Sequence, residues 1–373
     1  MIPVFEPEIG EEEIAAVVAA LRRGEISGSF GKSITDFEEH FAAFCGRKYG
    51  IAVNSGTAAL HIAVAAAGIG DGDEVLLSAS TNIATALAAY HNRAVSVPVD
   101  SEVETWNLNL DLIEPLISQR SRAILPVHLY GHPVDMDRLM EIAQRNKLIV
   151  IEDCAESHGA TVRGRMTGSF GQMACFSFYA NKIITTGEGG MVVTDDAAIA
   201  EKLRLLRNLA FSKPRFQHLL PAFNFRMTGF QAAMGLAQLK KIKSIIEAKR
   251  RLAATYNRYL KDIPGIQTPA QKDWALNVYW MYAIVVHPQF GLDRDGLIEF
   301  LAKSGIETRT FFCPMNQQPF LRSQSGYRDV PCPVADQLWK DGLYLPSAGR
   351  LTEREIQQVA ETIQKAHESQ RRV

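Results

Sequence analysis

Lys182 lies in the stretch FSFYANKIITTGEGGM, which runs from Phe176 to Met191 and passes from aromatic and small residues into glycines. Lysine side chains are rarely buried, so a lysine in these surroundings either extends its ammonium group to solvent or is kept for chemistry. A lysine amine forms Schiff bases with aldehydes. Such chemistry requires partner groups elsewhere in the chain.

Two further features supply such partners. Asp153 follows the apolar run LIVIE, and the segment Asn54 to Thr57 opens an Ala-rich stretch. Each has an ordinary explanation, since an aspartate after a strand often caps a helix and small polar residues often begin one. Their chemical alternatives are a carboxylate held against a cationic ring nitrogen and a helix N-terminus that binds phosphate. With a lysine for an aldehyde, the three features match pyridoxal phosphate.

The elements that position these groups read as an α/β fold. Amphipathic helices are predicted at Glu11 to Arg23 and Ile34 to Cys45, and a third helix at Asn54 to Gly70 has both start and stop signals. Short apolar runs follow, namely DEVLLSAS, AVSVPVD, AILPVHLYG and LIVIEDCAE. They are typical of strands buried on both faces of a parallel sheet, whose ligands bind beyond the carboxyl ends of the strands.

The C-terminal third has a different pattern. A helix rich in Lys, Glu and Arg is predicted from about Ala232 to Tyr259. VYWMYAIVVH and IETRTFF then indicate strands, and LIEFLAKSG and LTEREIQQVAETIQKAHE indicate helices. The sequence therefore predicts a large, mostly parallel-sheet domain over residues 1–240 and a smaller α+β domain over residues 241–373.

Composition excludes several classes of function. With 47% hydrophobic residues, 22% charged residues and a net charge of -1, the chain fits a soluble globular protein without an electrostatic preference for nucleic acid or membranes. The five cysteines form no CxxC pair, and the acidic N-terminus does not resemble a signal peptide, so we expect free thiols and a cytoplasmic protein. ISGSFGKS and GIGDGDEV fail the spacing of phosphate-binding loops, and the histidines show no metal-ligand spacing.

Long motifs place the chain beside a known family. NSGTAAL, PVHLYGH, VIEDCAESHGA, GSFGQMACFSFYANKIITTGEGGM and FNFRMTGFQAAMGLAQL resemble, in order and spacing, the DegT/DnrJ/EryC1/StrS sugar aminotransferases. The resemblance covers nearly the whole chain and implies a fold-type-I enzyme dependent on pyridoxal 5'-phosphate. FSFYANKIITTGEGGM and PVHLYGH are most similar to members that aminate C4 of GDP-4-keto-6-deoxymannose for surface polysaccharides such as O-antigen, and L-glutamate is the implied amino donor.

The resemblance also implies roles for individual residues near the cofactor ring. Lys182 becomes the lysine that binds the cofactor and carries protons, and Asp153 the partner of the ring nitrogen. Glu156 lies where the family has Gln or Glu near the ring hydroxyl. Members with histidine in place of Lys182 resemble dehydratases of similar keto-sugars, so the lysine favours transamination.

Phosphate and substrate contacts follow from the same motifs. Gly56, Thr57 and Ser177 would contact the phosphate, and Asn224 of FNFRMT would reach it from the other subunit of a homodimer. The implied substrate contacts are Ser27, Ser29, His128 and Arg226.

One position departs from the family pattern, and it leaves alternatives open. After the strand DEVLL the family places an aromatic residue that stacks on the cofactor, whereas this chain has Asn82. An amide covers the ring with less dispersion area, so cofactor affinity or the identity of the keto-sugar would differ. The alternatives are a transaminase for a UDP- or dTDP-linked sugar or a keto-sugar acid, and a non-catalytic regulator that keeps the fold.

Overall fold

The computed structural model describes residues 1–28, 30–214 and 216–370. Most strands are short apolar runs, as the sequence predicts. The strands are β1 (Tyr49–Val53), β2 (Glu74–Ser78), β3 (Val95–Val99), β4 (Ser121–Leu125), β5 (Ile149–Asp153), β6 (Thr161–Val162), β7 (Arg165–Met166), β8 (Met173–Ser177), β9 (Gly190–Thr194), β10 (Ile266–Gln267), β11 (Ala275–Leu276), β12 (Ala283–Val286), β13 (Arg309–Thr310) and β14 (Gly342–Tyr344).

Helices alternate with the strands of the first half and predominate after it. They are α1 (Glu11–Arg22), α2 (Ser33–Phe44), α3 (Gly56–Ala66), α4 (Ile83–His91), α5 (Met136–Arg145), α6 (Ala197–Arg207), α7 (Gly229–Lys240), α8 (Ile242–Leu260), α9 (Arg294–Lys303), α10 (Pro319–Arg322), α11 (Pro333–Asp341) and α12 (Glu353–Gln370). None of the described helices is long and apolar enough to cross a membrane.

A seven-stranded sheet organises the first half in the order β1-β9-β8-β5-β4-β2-β3. Its neighbouring strands run parallel except β9, which is antiparallel to both β1 and β8. Alternate residues of the strands point to opposite faces. One face packs against α3, α4 and α6, and the other packs partly against α2 through Phe37 and Phe41. Because both faces are covered, the middle residues of most strands are apolar.

Register in this sheet brings the chemical groups together. Asp153, the last residue of β5, is paired with Cys175 of β8. The β8–β9 connection, which carries Lys182, therefore begins at the same edge of the sheet as Asp153. Helix α3 packs beside β8 and β9, so its N-terminus reaches this edge as well.

The C-terminal part contains a four-stranded antiparallel sheet in the order β10-β12-β14-β13, covered by α8, α9 and α12. The helix expected from Ala232 to Tyr259 is two helices, because Lys241 leaves helical geometry between α7 and α8. The two expected strands are also shorter, since only Ala283–Val286 and Arg309–Thr310 form strands within them. The domain boundary at residue 240 remains a prediction.

Candidate active site

A cavity of about 280 Å³ opens at the carboxyl edge of the large sheet. Seven residues singled out in the sequence line it, and the structure thus brings together Gly56, Thr57, Asn82, Asp153, Glu156, Ser177 and Lys182. The opposite wall is aromatic and comes from the C-terminal part, with Trp280, Phe312 and Tyr344. This wall was not predicted, because the sequence marks Trp280 and Phe312 only as parts of expected strands and gives Tyr344 no role in the site.

The Lys182 amine is held between a carboxylate and an aromatic ring. Its Nζ lies 4.0 Å from Glu156 Oε1 and 3.8 Å from the centre of the Trp280 ring. Burial lowers the pKa of Lys182, and the negative charges of Glu156 and Asp153 oppose that shift. A lowered pKa increases the share of neutral amine, which is the nucleophilic form.

Asp153 ends β5 with its carboxylate almost fully buried. Thr85 Oγ1 donates to Asp153 Oδ2 at 2.8 Å, and the Ala155 amide donates to Oδ1 at 3.1 Å. The Thr81 hydroxyl lies 2.8 Å from that of Thr85, which extends the chain of hydroxyl groups. Burial raises the pKa of Asp153, and these donors act in the opposite direction. The two threonines, on and just before α4, had no distinguishing signal in the sequence.

Glu156 is a second carboxylate, with a different environment. Its Oε2 accepts the Tyr130 backbone N–H at 2.8 Å, and its Oε1 faces Lys182. Burial raises the pKa of Glu156 to about 7, although the Lys182 charge opposes this shift. A carboxyl group with this pKa both accepts and returns a proton near neutral pH.

The other end of the cavity is the N-terminus of α3. Ser55 caps the helix by accepting the Ala58 amide at 3.1 Å, and Gly56 is the first helical residue. A Cβ atom at Gly56 would lie 2.7 Å from the Ser177 Cβ, so only glycine leaves the first turn open to the cavity here. Backbone amides and the helix dipole favour an anion at this position.

These groups fit pyridoxal phosphate. The open first turn of α3 suits the phosphate, the anchored carboxylate of Asp153 suits a ring nitrogen that carries a proton, and the Lys182 amine suits the aldehyde. Asn82 lines the same cavity but uses its Oδ1 to accept the Ala84 amide at 3.0 Å, as the cap of α4. An aromatic ring at this position would provide no such cap.

The structure does not bring His128 to the cavity, which corrects the expected substrate contact. Its ring is completely buried, with Nδ1 accepting the Val134 amide at 3.0 Å and Nε2 lying 3.4 Å from Glu152 Oε2. Glu152 also accepts the backbone amides of Gly168, Phe170 and Gly171. Glu152, near the end of β5, therefore fixes the loop that contains these three amides, because buried polar groups must be paired.

Three other expected contacts, at Asn224, Arg226 and Ser27, do not line the cavity of their own chain. Asn224 is exposed, and Arg226 donates to Asn208 Oδ1 at 2.8 Å. Ser27 lies in the segment before α2, whose Gly28 packs against Arg226 and Met227. Ser29 lies outside the described residues.

The fold and this site define a pyridoxal-phosphate-dependent aminotransferase, with the antiparallel β9 beside the strand that leads to the lysine. The chain belongs to the DegT/DnrJ/EryC1/StrS aminotransferase family, whose model matches residues 7–364. The predicted fold class, cofactor and enzyme class are confirmed.

Relatives and solved structures match almost end to end. The chain is 41% identical to a GDP-perosamine synthase of Caulobacter vibrioides, over 96% of both chains. It is 37% identical to a GDP-perosamine synthase of Escherichia coli O157:H7, over 97% of both. The PMP form of a putative sugar aminotransferase from Streptococcus pneumoniae superposes with a TM-score of 0.93 at 26% identity, covering 99% of this chain and 98% of that one.

Proposed function

We propose that this enzyme transfers an amino group from L-glutamate to the keto carbon of a GDP-linked 4-keto-6-deoxy sugar, GDP-4-keto-6-deoxymannose, for a surface polysaccharide. The observation that carries the chemistry is the position of Lys182 Nζ, 4.0 Å from Glu156 in the cavity that Asp153 also lines. The nucleotide is inferred from relatives named GDP-perosamine synthases at 41% and 37% identity.

When bound, pyridoxal phosphate supplies an aldehyde that takes up the amino group and a ring that stores the electrons released by proton removal. Lys182, in its neutral form, would remove the proton from the carbon that bears the amine and deliver it to the carbon of the former aldehyde within the same half-reaction, and the two transfers would run in reverse in the second half. Glu156 lies close enough to Lys182 for a proton to pass between them, either after a small movement of the side chains or through one water molecule. The anchored and buried Asp153 carboxylate would hold the ring nitrogen in its protonated form.

Phosphate binding is assigned to Gly56, Thr57 and Ser177, with Asn224 contributed by a second copy of the chain. Asn224 is exposed and follows a segment with exposed large apolar residues, including Phe211 and Leu219. Apolar surface of this kind favours a protein contact, which supports a homodimer. All five cysteines are free thiols, which supports the cytoplasm as the compartment.

A spectral half-reaction tests the proposed substrate. The purified enzyme is first converted by L-glutamate, which bleaches the colour of the bound cofactor, and excess glutamate is then removed. GDP-4-keto-6-deoxymannose is expected to restore the colour. UDP- and dTDP-linked keto-sugars are expected to restore it much more slowly.

The controls separate the alternatives. Lys182→Ala should not complete either half-reaction, while the exposed-site variant Lys303→Ala should behave as the unmodified enzyme. Faster recovery with a UDP- or dTDP-linked sugar would replace the proposed nucleotide. No bleaching by glutamate would indicate a different donor or the non-catalytic alternative.

A further inference from the structure

Trp280 contacts the segment that carries Lys182 in two ways. Its ring lies over the Lys182 amine at 3.8 Å, and its Nε1 donates to the Asn181 backbone oxygen at 2.6 Å. One side chain thus contacts both the reactive amine and the peptide group directly before it. A cation near a ring face is attracted by the ring quadrupole, and the attraction increases where water is excluded.

Trp280 is itself held in place by burial, by ring stacking and by a hydrogen bond to its backbone. Only 3% of the residue is exposed, and its ring stacks on Tyr130 with centres 6.2 Å apart and planes at 16°. Its backbone oxygen accepts Lys249 Nζ at 2.9 Å, from a lysine that is buried in α8. A residue held by stacking and by its main chain has little freedom to follow Lys182. It therefore acts as a fixed surface against which the lysine is placed.

We propose that Trp280 is the positioning residue of Lys182: its ring holds the amine opposite Glu156, and its N–H holds the backbone at Asn181. It acts through Lys182 and forms no bond to substrate in this proposal. The inference rests on the proposed role of Lys182 as the cofactor lysine. It adds that the C-terminal part of the chain sets the charge state and the location of that amine.

Fluorinated tryptophans test the ring contact without changing its shape. Mono-, di- and trifluorotryptophan are incorporated at position 280 alone in the full-length chain without cofactor. Each fluorine weakens the ring quadrupole while the volume and the burial of Lys182 stay nearly constant. The pH profile of Lys182 acetylation by acetic anhydride is then measured by peptide mass spectrometry, with the exposed Lys303 as internal reference.

The acetylation midpoint of Lys182 is expected to fall with each fluorine, by about one pH unit over the series. Lys303 should not change. A Lys182 midpoint that does not depend on fluorine content would overturn the ring contact. Since acetylation reports on the amine alone, this result is independent of whether Lys182 binds the cofactor.

Trp280→Phe tests the N–H contact, because it keeps a ring face and removes the donor to Asn181. The acetylation midpoint should stay within the range of the fluorinated series. Capture of added pyridoxal phosphate, followed by absorbance, should slow severalfold. Trp339→Phe, at a partly exposed tryptophan on α11, is the matched control and should change neither measurement. Capture by Trp280→Phe at the unmodified rate would show that the N–H does not position Lys182.

Discussion

At the scale of single residues, Asp153 keeps two donors although almost no water reaches it. The Thr85 hydroxyl and the Ala155 amide both bond its carboxylate. Only the first of these depends on a side chain that mutation can remove. Thr85 therefore controls how readily the buried carboxylate takes up a proton.

Thr85→Val is expected to raise the pKa of Asp153 further, because burial remains and a donor to the anion is lost. The dissociation constant for pyridoxal phosphate should rise about tenfold at neutral pH, and more as the pH falls. Equilibrium binding followed by absorbance measures this effect, with Thr85→Ser as the control that keeps the hydroxyl. If the pyridoxal phosphate affinity of Thr85→Val depended on pH in the same way as that of the unmodified enzyme, the role of Thr85 would be contradicted.

Residues directly after a strand were predictable from the sequence, and contacts between distant segments were not. Asp153 and Lys182 follow apolar runs, so the edge of the sheet places them together. Thr85 and Trp280 are recognised only through the partners that folding brings to them. His128 also follows a strand, yet it turns into the protein to bond Glu152 and Val134. Position in the sequence does not reveal that direction.

At the scale of elements, the start of α3 and the start of β9 approach very closely. A Cβ atom at Gly190 would lie 2.3 Å from the Ser55 backbone oxygen and 2.9 Å from the Gly56 nitrogen. Backbone atoms cannot rotate away as a side chain does. The glycine that ends the lysine-bearing connection therefore determines where the phosphate-binding end of α3 sits.

Gly190→Ala is expected to separate α3 from β9, with a loss of about 1–3 kcal/mol in the free energy of unfolding. Affinity for pyridoxal phosphate should fall as well, because the amides of the first turn move. Gly70→Ala is the control, since a Cβ there would meet its nearest atom at 3.9 Å. Chemical denaturation and cofactor binding measure the two effects. Equal stability of the two variants would contradict the close approach.

The aromatic wall shows why one predicted strand is shorter. VYWMYAIVVH has the composition of a strand, but only Ala283–Val286 pairs in the sheet. Before it, Asn277 Oδ1 accepts the Tyr279 amide at 2.8 Å, and Tyr279 has a φ of 48°. This local bond replaces a bond between strands and forms a turn. The turn directs Trp280 to the cavity.

At the scale of the whole molecule, Lys249 is a buried cation where the C-terminal part meets the active site. Its Nζ donates to the backbone oxygens of Trp280 and Ser347. Burial lowers the pKa of Lys249 to about 7, and the charge of Glu8 opposes that shift. In the unfolded chain its pKa is the ordinary value of 10.5. Between about pH 7 and pH 10.5, Lys249 therefore carries its proton in the unfolded chain and has mostly lost it in the folded chain.

Stability should consequently rise with pH through this window, because the cost of burying the charge is fully present below about pH 7 and is relieved above it. Lys249→Met lacks this dependence. From pH 7 to 10 the unmodified enzyme should gain about 3 kcal/mol relative to the variant. Chemical denaturation at fixed protein concentration measures how the free energy of unfolding of each protein changes with pH, and Lys303→Met is the control. The same pH dependence in the unmodified enzyme and in Lys249→Met would contradict a lowered pKa of Lys249.

The proposed sharing of Asn224 is tested by mixing two inactive variants. If Asn224 serves the partner's cavity, a dimer of one Lys182→Ala chain and one Asn224→Ala chain contains one complete site. Random reassociation should then restore about a quarter of the unmodified activity. Each variant reassociated alone is the control. No recovery in mixed dimers, confirmed by mass spectrometry, would place Asn224 in its own chain's site.

The antiparallel strand β9 also affects the order in which the sheet forms while the chain is being synthesised. Among the described strands, the sheet partner of β1 is β9, although more than a hundred residues separate the two. During synthesis β1 must wait until the chain beyond Thr194 has left the ribosome. The loop with Lys182 joins β8 to β9, so the same late step that closes the sheet also fixes both ends of the loop that carries the lysine. A nascent chain that stops before β9 therefore leaves uncovered β1 and the part of α3 that packs on β9, and such exposed apolar surface favours chaperone binding.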